Sequence, residues 1–186
     1  MKKLATMLKI ATVMAVALFL GGGCDDGIDW LGLSRGNFVI DDEITTCFNL
    51  VNEFRTSGTA DYATESGGTE TVGKLNALTL DENLCKAAAI RAKEIVKKWG
   101  HTRPNGSSCS TVLKECGISY GSAGENIAAG NKSGKETFEQ WKEDGEPYSG
   151  QGHRRNMLGN FTKIGLAYTY DPNSTYKYYW VMILIK

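Results

Sequence analysis

The stretch TLDENLCKAAAIRAKEIVKKWGHTR, residues 79–103, decides how the chain folds. Thr79 and Glu82 stand at capping-box spacing, so that one side chain can satisfy the free amides of a helix start while the other reaches back. Leu84, Ala88, Ala92, Ile95 and Trp99 then recur at steps of three and four. That spacing predicts a helix with one apolar face, stopped at Gly100.

Working outward, Ile44, Cys47, Phe48, Val51 and Phe54 repeat the same period, with Asp41 or Asp42 as cap, and predict a first helix. The Gly, Ser and Thr-rich run 57–73 predicts a surface loop between the two helices. A Ser, Gly and Cys-rich loop up to Ala123 follows the second helix, then a short helical turn from Glu125 to Ala129. Ser133 and Glu136 form another capping box, opening a helix that buries Phe138 and Trp141 and ends near a loop from Gly145 to Gly152. Residues 163–170 and 176–185 are rich in aromatic and branched side chains and are split by Asp171, Pro172, Asn173 and Ser174, which predicts a hairpin. Helices followed by strands give an α+β domain in which helices cover a small antiparallel sheet.

The N-terminus reads differently. Lys2 and Lys3 precede an apolar run from Ile10 to Leu20 and then Gly21, Gly22, Gly23 and Cys24. This is the composition of an export signal over residues 1–23, too short to span a bilayer, which takes about 20 apolar residues. A small-residue run ending in Cys resembles a bacterial lipoprotein signal, which makes Cys24 the expected lipid anchor, residues 24–40 a tether whose Trp30 or Phe38 packs onto the domain, and residues 41–186 one domain. Secretion with cleavage near Gly23 is the alternative. The aliphatic residue expected three places before the Cys is replaced by Gly21, with Leu20 one step further out.

Three of the 21 basic residues and none of the 21 acidic ones lie in the first 23 positions, so the remainder carries about −3. That balance gives no electrostatic case for binding nucleic acid. Export permits disulfides, and with Cys24 lipidated an even set remains: Cys47, Cys85, Cys109 and Cys116. Pairing Cys109 with Cys116 closes a short loop and pairing Cys47 with Cys85 joins two helices; a zinc site from these four is disfavoured because none forms a Cys-x-x-Cys pair.

The only histidines, His101 and His153, sit at element ends in polar, Gly-flanked segments. Loop imidazoles held by scaffold helices can act as bases, metal ligands or hydrogen-bond partners near neutral pH. No nucleophile elbow, phosphate-binding Gly-Lys loop or His-Glu-x-x-His helix accompanies them.

Four blocks around these residues stand in order: Val51-Asn52-Glu53-Phe54-Arg55; Leu80 to Leu84 running through Ala92 to His101-Thr102-Arg103; Ala123-Gly124-Glu125-Asn126-Ile127-Ala128; and Gly152 to Leu158 followed by Ile164-Gly165. Together they resemble the CAP superfamily of cysteine-rich secretory, antigen 5 and pathogenesis-related proteins, the last block being similar to the bacterial branch. The resemblance implies an α-β-α sandwich with a cleft lined by two histidines and two acids, of which His101, Glu125 and His153 match three. The fourth acid departs from the pattern: Asp144, three residues after Trp141, or its neighbour Glu143 takes that place.

Two neutral imidazoles with one or two carboxylates can hold zinc or another divalent transition metal, with a position left for water. The same groups without metal can hold one another, each acid fixing a histidine tautomer. The leading expectation is a noncatalytic envelope module whose cleft takes a metal and a lipid, peptide or glycan partner. The alternative is a hydrolase, protease or esterase, with zinc on His101 and His153 and Glu125 or Asp144 as general base; a purely structural envelope protein is the third.

Blander roles compete for several residues. Glu125 can be a helix-start carboxylate, and Asn126 and Asn156 ties between loops. Arg154 and Arg155 can clamp an anion or form a structural salt bridge. The terminal tyrosines and Trp180 can line a lipid groove or pack as core.

Overall fold

A computed structural model describes residues 38–186. The expected signal over residues 1–23, the lipidation site Cys24, Trp30 and the tether up to residue 37 lie outside the described residues. Phe38 is described and packs against the domain core.

Helix α1 runs Asp42–Thr56, capped by the Asp41 carboxylate, which accepts from Ile44 N at 2.9 Å. The segment 57–73 carries a small hairpin, β1 Asp61–Ala63 and β2 Thr69–Thr71, where the composition predicts only a loop. Strand β3, Thr79–Leu80, pairs in parallel with β5, Lys163–Tyr170. Thr79 is therefore committed to a sheet, and Asp81 caps α2, Glu82–Lys97, by accepting from Asn83 N and Leu84 N. That helix ends three residues before Gly100, which leaves Trp99 exposed rather than on the buried face.

Helix α3, Thr111–Glu115, lies in the Cys-rich segment. Residues 123–129 form strand β4, Ala123–Ala129, not the expected helical turn, because seven successive residues pair in register with β6, Tyr178–Ile185. Cooperative pairing with a buried partner strand outweighs weak local preference. Helix α4, Gly134–Lys142, starts at the Ser133 cap as expected, and α5, Gly152–Met157, occupies the segment that follows the Gly-rich loop.

Strands β3-β5-β6-β4 form a mixed sheet with β4 at a free edge. Alternation of side chains divides its core into two. Ile127, Ala167, Val181 and Ile183 face α2 and α3 and meet Leu84, Ala88, Ile95 and Leu113. Ala128, Leu166, Trp180 and Met182 face the other way and meet Ile44 and Val51 of α1, Trp141 of α4 and Met157 of α5. The result is the expected α-β-α sandwich. Each fully buried side chain of this kind contributes roughly 1.5–3 kcal/mol relative to exposure. Trp180 is among them and Tyr179 is buried too, so these two aromatics serve as core, whereas Tyr170 and Tyr176 are exposed.

This layering corrects the expected disulfides. Cys47 on α1 and Cys85 on α2 are buried free thiols that belong to helices on opposite faces of the sheet, beyond the reach of a bond that needs Cα atoms within about 7 Å. Cys109 is also a free thiol, so the expected short loop to Cys116 is not closed by a bridge. Cys116 is the exception among the four and is engaged in a disulfide.

Two details hold the layers in register. A Cβ added at Gly165 would lie 2.3 Å from the Leu84 carbonyl carbon, so α2 rests directly on β5 backbone. Arg55, buried at the end of α1, donates to Met157 O at 2.5 Å and Gly159 O at 2.9 Å, fixing the C-terminal end of α5.

Candidate functional site

The acid of the third block, Glu125, is the third residue of β4, and its side chain points to the α2 face. There Arg91, fully buried, donates to Glu125 Oε2 from Nε at 2.8 Å and to Oε1 from Nη2 at 3.2 Å. His101 Nδ1 lies 2.8 Å from the same Oε1. Burial works to raise the Glu125 pKa, but the hydrogen bonds from His101 and Arg91 outweigh it and hold the carboxyl below its ordinary value.

The network continues from the buried pair toward the surface. Arg91 Nη1 donates to Glu94 Oε2 at 2.7 Å, Arg103 Nη2 donates to Glu94 Oε1 at 2.7 Å, and Arg103 Nη1 donates to Glu115 Oε1 at 2.6 Å. Arg91 and Glu94 escape a reading aimed at histidines. Their signal is nonetheless in the sequence: Arg91 stands three residues after Ala88 and four before Ile95, on the face that should be apolar. A charge at such a position demands a buried partner.

His101 has a second neighbour. Cys109 Sγ, a ring nitrogen of His101 and a carboxylate oxygen of Glu125 all lie within 4.8 Å of one another, the one such group of three among the described residues. Hydrogen bonds with Cys109 and then Glu125 raise the His101 pKa from 6.5 to about 9, against the opposing pull of burial.

His153 opens α5 on the other face of the sheet. Its Nδ1 lies 2.5 Å from Glu143 Oε1, while Glu143 Oε2 accepts from the backbone amides of His153 at 3.0 Å and Arg154 at 3.2 Å. Glu143 is therefore the acid that pairs with His153. It ends α4 in the left-handed region, φ 50°, a conformation costly for a residue with a side chain and sustained here by three hydrogen bonds. Asp144, the other candidate, turns away: it bonds Arg154 at 2.5 Å and Lys142 at 2.7 Å. Burial raises its pKa, but Lys142 and Arg154 outweigh that and lower it.

Arg154 is a structural residue rather than an anion clamp, buried and bonded to Asp144 Oδ1, Asp61 Oδ1 and the carbonyl of Lys142. Arg155 stacks over the Tyr148 ring and donates to its carbonyl.

The two imidazole–carboxylate pairs flank consecutive residues of β4. Glu125 belongs to the first pair; Asn126 Nδ2 donates to the carbonyl of His153, in the second, at 3.1 Å. Asn156 Nδ2 closes the link, donating to Asn126 Oδ1 at 2.8 Å. Both asparagines thus act as the ties expected of them. No carboxylate serves both rings among the described hydrogen bonds, so the structure forms two pairs joined around one strand edge.

A model of the CAP, or cysteine-rich secretory protein, family matches residues 48–184. The chain belongs to this family. Its CAP domain is 38% identical over 97 residues to an uncharacterized protein, YkwD, of Bacillus subtilis, a match covering half of this chain and 35% of that one. The chain thus spans about a third of the length of that relative. Among solved structures, an extracellular protein containing an SCP domain from Bacillus anthracis aligns with TM-score 0.57 and 21% identity, covering 81% of this chain and 45% of the other. An outer surface protein from Borrelia burgdorferi aligns with TM-score 0.58 and 17% identity, covering 81% of this chain and 98% of the other. At these identities the structural likeness carries the fold alone. No helix among the described residues is long and apolar enough to cross a membrane.

Proposed function

We propose that this CAP domain is an exported, noncatalytic binding module of a bacterial cell envelope, which takes a divalent transition metal at His101 and His153 and a lipid, peptide or glycan partner beside them. The observation that carries this reading is the pairing of each Nδ1 with a carboxylate. A carboxylate that accepts from Nδ1–H fixes the tautomer that presents Nε2 as a ligand, the arrangement that supports metal-bound histidines. Zinc, suited to imidazole nitrogen and carboxylate oxygen, would polarise a bound water there.

The engagement of the acids favours binding over hydrolysis. Glu125 has both oxygens committed to Arg91 and His101, and Glu143 has both committed to α5 and His153. A general base needs a free lone pair facing the proton it takes. Asp144, the other base considered, is occupied by Arg154 and Lys142.

Isothermal titration of the metal-free protein with zinc tests the reading. It expects binding that weakens in His101→Gln and in His153→Gln, with no peptide or ester cleavage by the loaded protein. Absence of zinc binding overturns the metal part, and metal-dependent cleavage lost in His153→Gln overturns the noncatalytic part. For localisation we propose export to the cell envelope, with a Cys24 lipid anchor competing against a Cys116 bridge, because Cys24 is the remaining cysteine of the chain and a lipidated sulfur cannot form a disulfide. Mass spectrometry of the membrane fraction supports the anchor by finding diacylated Cys24 and overturns it by finding Cys24 in a disulfide or a mature start beyond it.

A further inference from the structure

The free thiol of Cys109 is the one donor at the His101 pair that the preceding reading leaves unused. A tight loop delivers it. Thr102 and Ser108 bridge as an antiparallel pair, Arg103 N donates to Ser107 O at 2.9 Å, and Cys109 N donates to the His101 carbonyl at 3.0 Å. The turn passes through Gly106, whose φ of 87° suits glycine. Cys109 is thus folded back onto His101 by backbone bonds, and Glu125 is fixed by Arg91. Three donors of different kinds stand within 4.8 Å of one another.

Beside them lies a hollow of about 40 Å³ bounded by Cys109, Glu125, Leu113, Ala123 and Ile183. A water needs on the order of 10–15 Å³ measured this way, so the space is large enough for one beside Cys109 and Glu125. Charge points the same way. Once the His101 proton has been displaced, Glu125, Glu94 and Glu115 against Arg91 and Arg103 leave one negative charge in the network, and a Cys109 thiolate brings it to two. A divalent cation neutralises that sum.

We propose that Cys109, His101 and Glu125 form a mixed sulfur, nitrogen and oxygen site for zinc or a metal of similar softness. The inference rests on the reading above that His101 takes a metal and changes its ligand atoms: the metal replaces the proton between His101 Nδ1 and Glu125, and Cys109 supplies a thiolate from the same face of the sheet. Binding forms metal–sulfur, metal–nitrogen and metal–oxygen bonds, displaces water from the aquo ion, and releases both the thiol proton of Cys109 and the imidazolium proton of His101 to solvent. Borderline metals that accept thiolate and imidazole together fit this donor set better than magnesium or calcium, which prefer oxygen.

Cobalt(II) used as a spectroscopic stand-in for zinc tests the assignment on the full chain under non-reducing conditions. The expected result is one equivalent bound with a near-ultraviolet thiolate-to-cobalt charge-transfer band, lost in Cys109→Ser along with at least roughly tenfold of the zinc affinity. Far-ultraviolet circular dichroism checks that the variant keeps its fold; the buried Cys47 and Cys85 remain in it as internal thiol controls. A band that survives Cys109→Ser overturns the proposal, as does wild-type protein that binds no cobalt. Cobalt bound without the band, and dependent on both histidines, overturns this site while leaving the two-histidine reading standing. A band retained in His153→Gln supports this site and removes His153 from the ligand set.

Discussion

Arg91 and Glu125, 34 residues apart in the chain, meet through two hydrogen bonds on the α2 face of the sheet, with His101 bonded to the same carboxylate. The pair is almost wholly out of solvent. Removing one member of a buried ion pair leaves the other charged and unsatisfied, at about 3–5 kcal/mol. Arg91→Met should therefore lower the unfolding free energy measured in urea by an amount of that size, since it strands both Glu125 and Glu94. A loss below about 1 kcal/mol would show that the network is not what holds α2 to β4.

His101 gives a pH dependence whose sign follows from its raised pKa. The folded value is about 9 against an ordinary 6.5. Its contribution to stability is fully present below pH 6.5 and is lost as pH rises through about 9. In chelator-treated protein, the stability difference between wild type and His101→Gln should be largest in mild acid and shrink across that window. Because the ring is half exposed, the difference is modest, and a flat or rising profile would contradict the pairing.

Glu143 and Asp144 are neighbours with separate duties. Glu143→Ala should abolish the slowly exchanging Nδ1–H signal of His153 in proton NMR, because the acceptor at 2.5 Å is gone. Asp144→Asn should leave that signal in place and act on stability alone, through Arg154. Exchange of those two outcomes would make Asp144 the acid that pairs with His153.

Thiol chemistry separates three described cysteines. Burial pushes the Cys47 thiol up to about 12 and the Cys85 thiol to about 11, and both side chains are shut off from solvent. Only thiolate reacts with iodoacetamide. Peptide mapping of metal-free native protein should find Cys109 alkylated and Cys47 and Cys85 spared, with all three labelled in denaturant. A native disulfide between any two of them would contradict the layering of α1 and α2.

Gly165 carries the closest helix–strand approach. Gly165→Ala drives a methyl into the Leu84 backbone at 2.3 Å, and neither element can yield easily. The expected loss is about 1–3 kcal/mol, toward the upper end because the clash is with main chain. A neutral effect in thermal denaturation would mean that α2 can lift from β5.

The sequence by itself determined the helices α1, α2 and α4, the terminal hairpin and the family, because these rest on local periodicity and caps that the chain carries within each segment. It marked His101, Glu125 and His153, but not their bonds. Only the tertiary structure decided that residues 123–129 form an edge strand, that Asp81 replaces Thr79 as cap, and that Glu143 rather than Asp144 meets His153. Each of these depends on partners outside the residue's own segment: β6 for β4, β5 for Thr79, α5 for Glu143. The same holds for the cysteines, since an even count suggested bridges, while the sheet that separates Cys47 from Cys85 and the loop that lays Cys109 beside His101 exist only once the layers are packed.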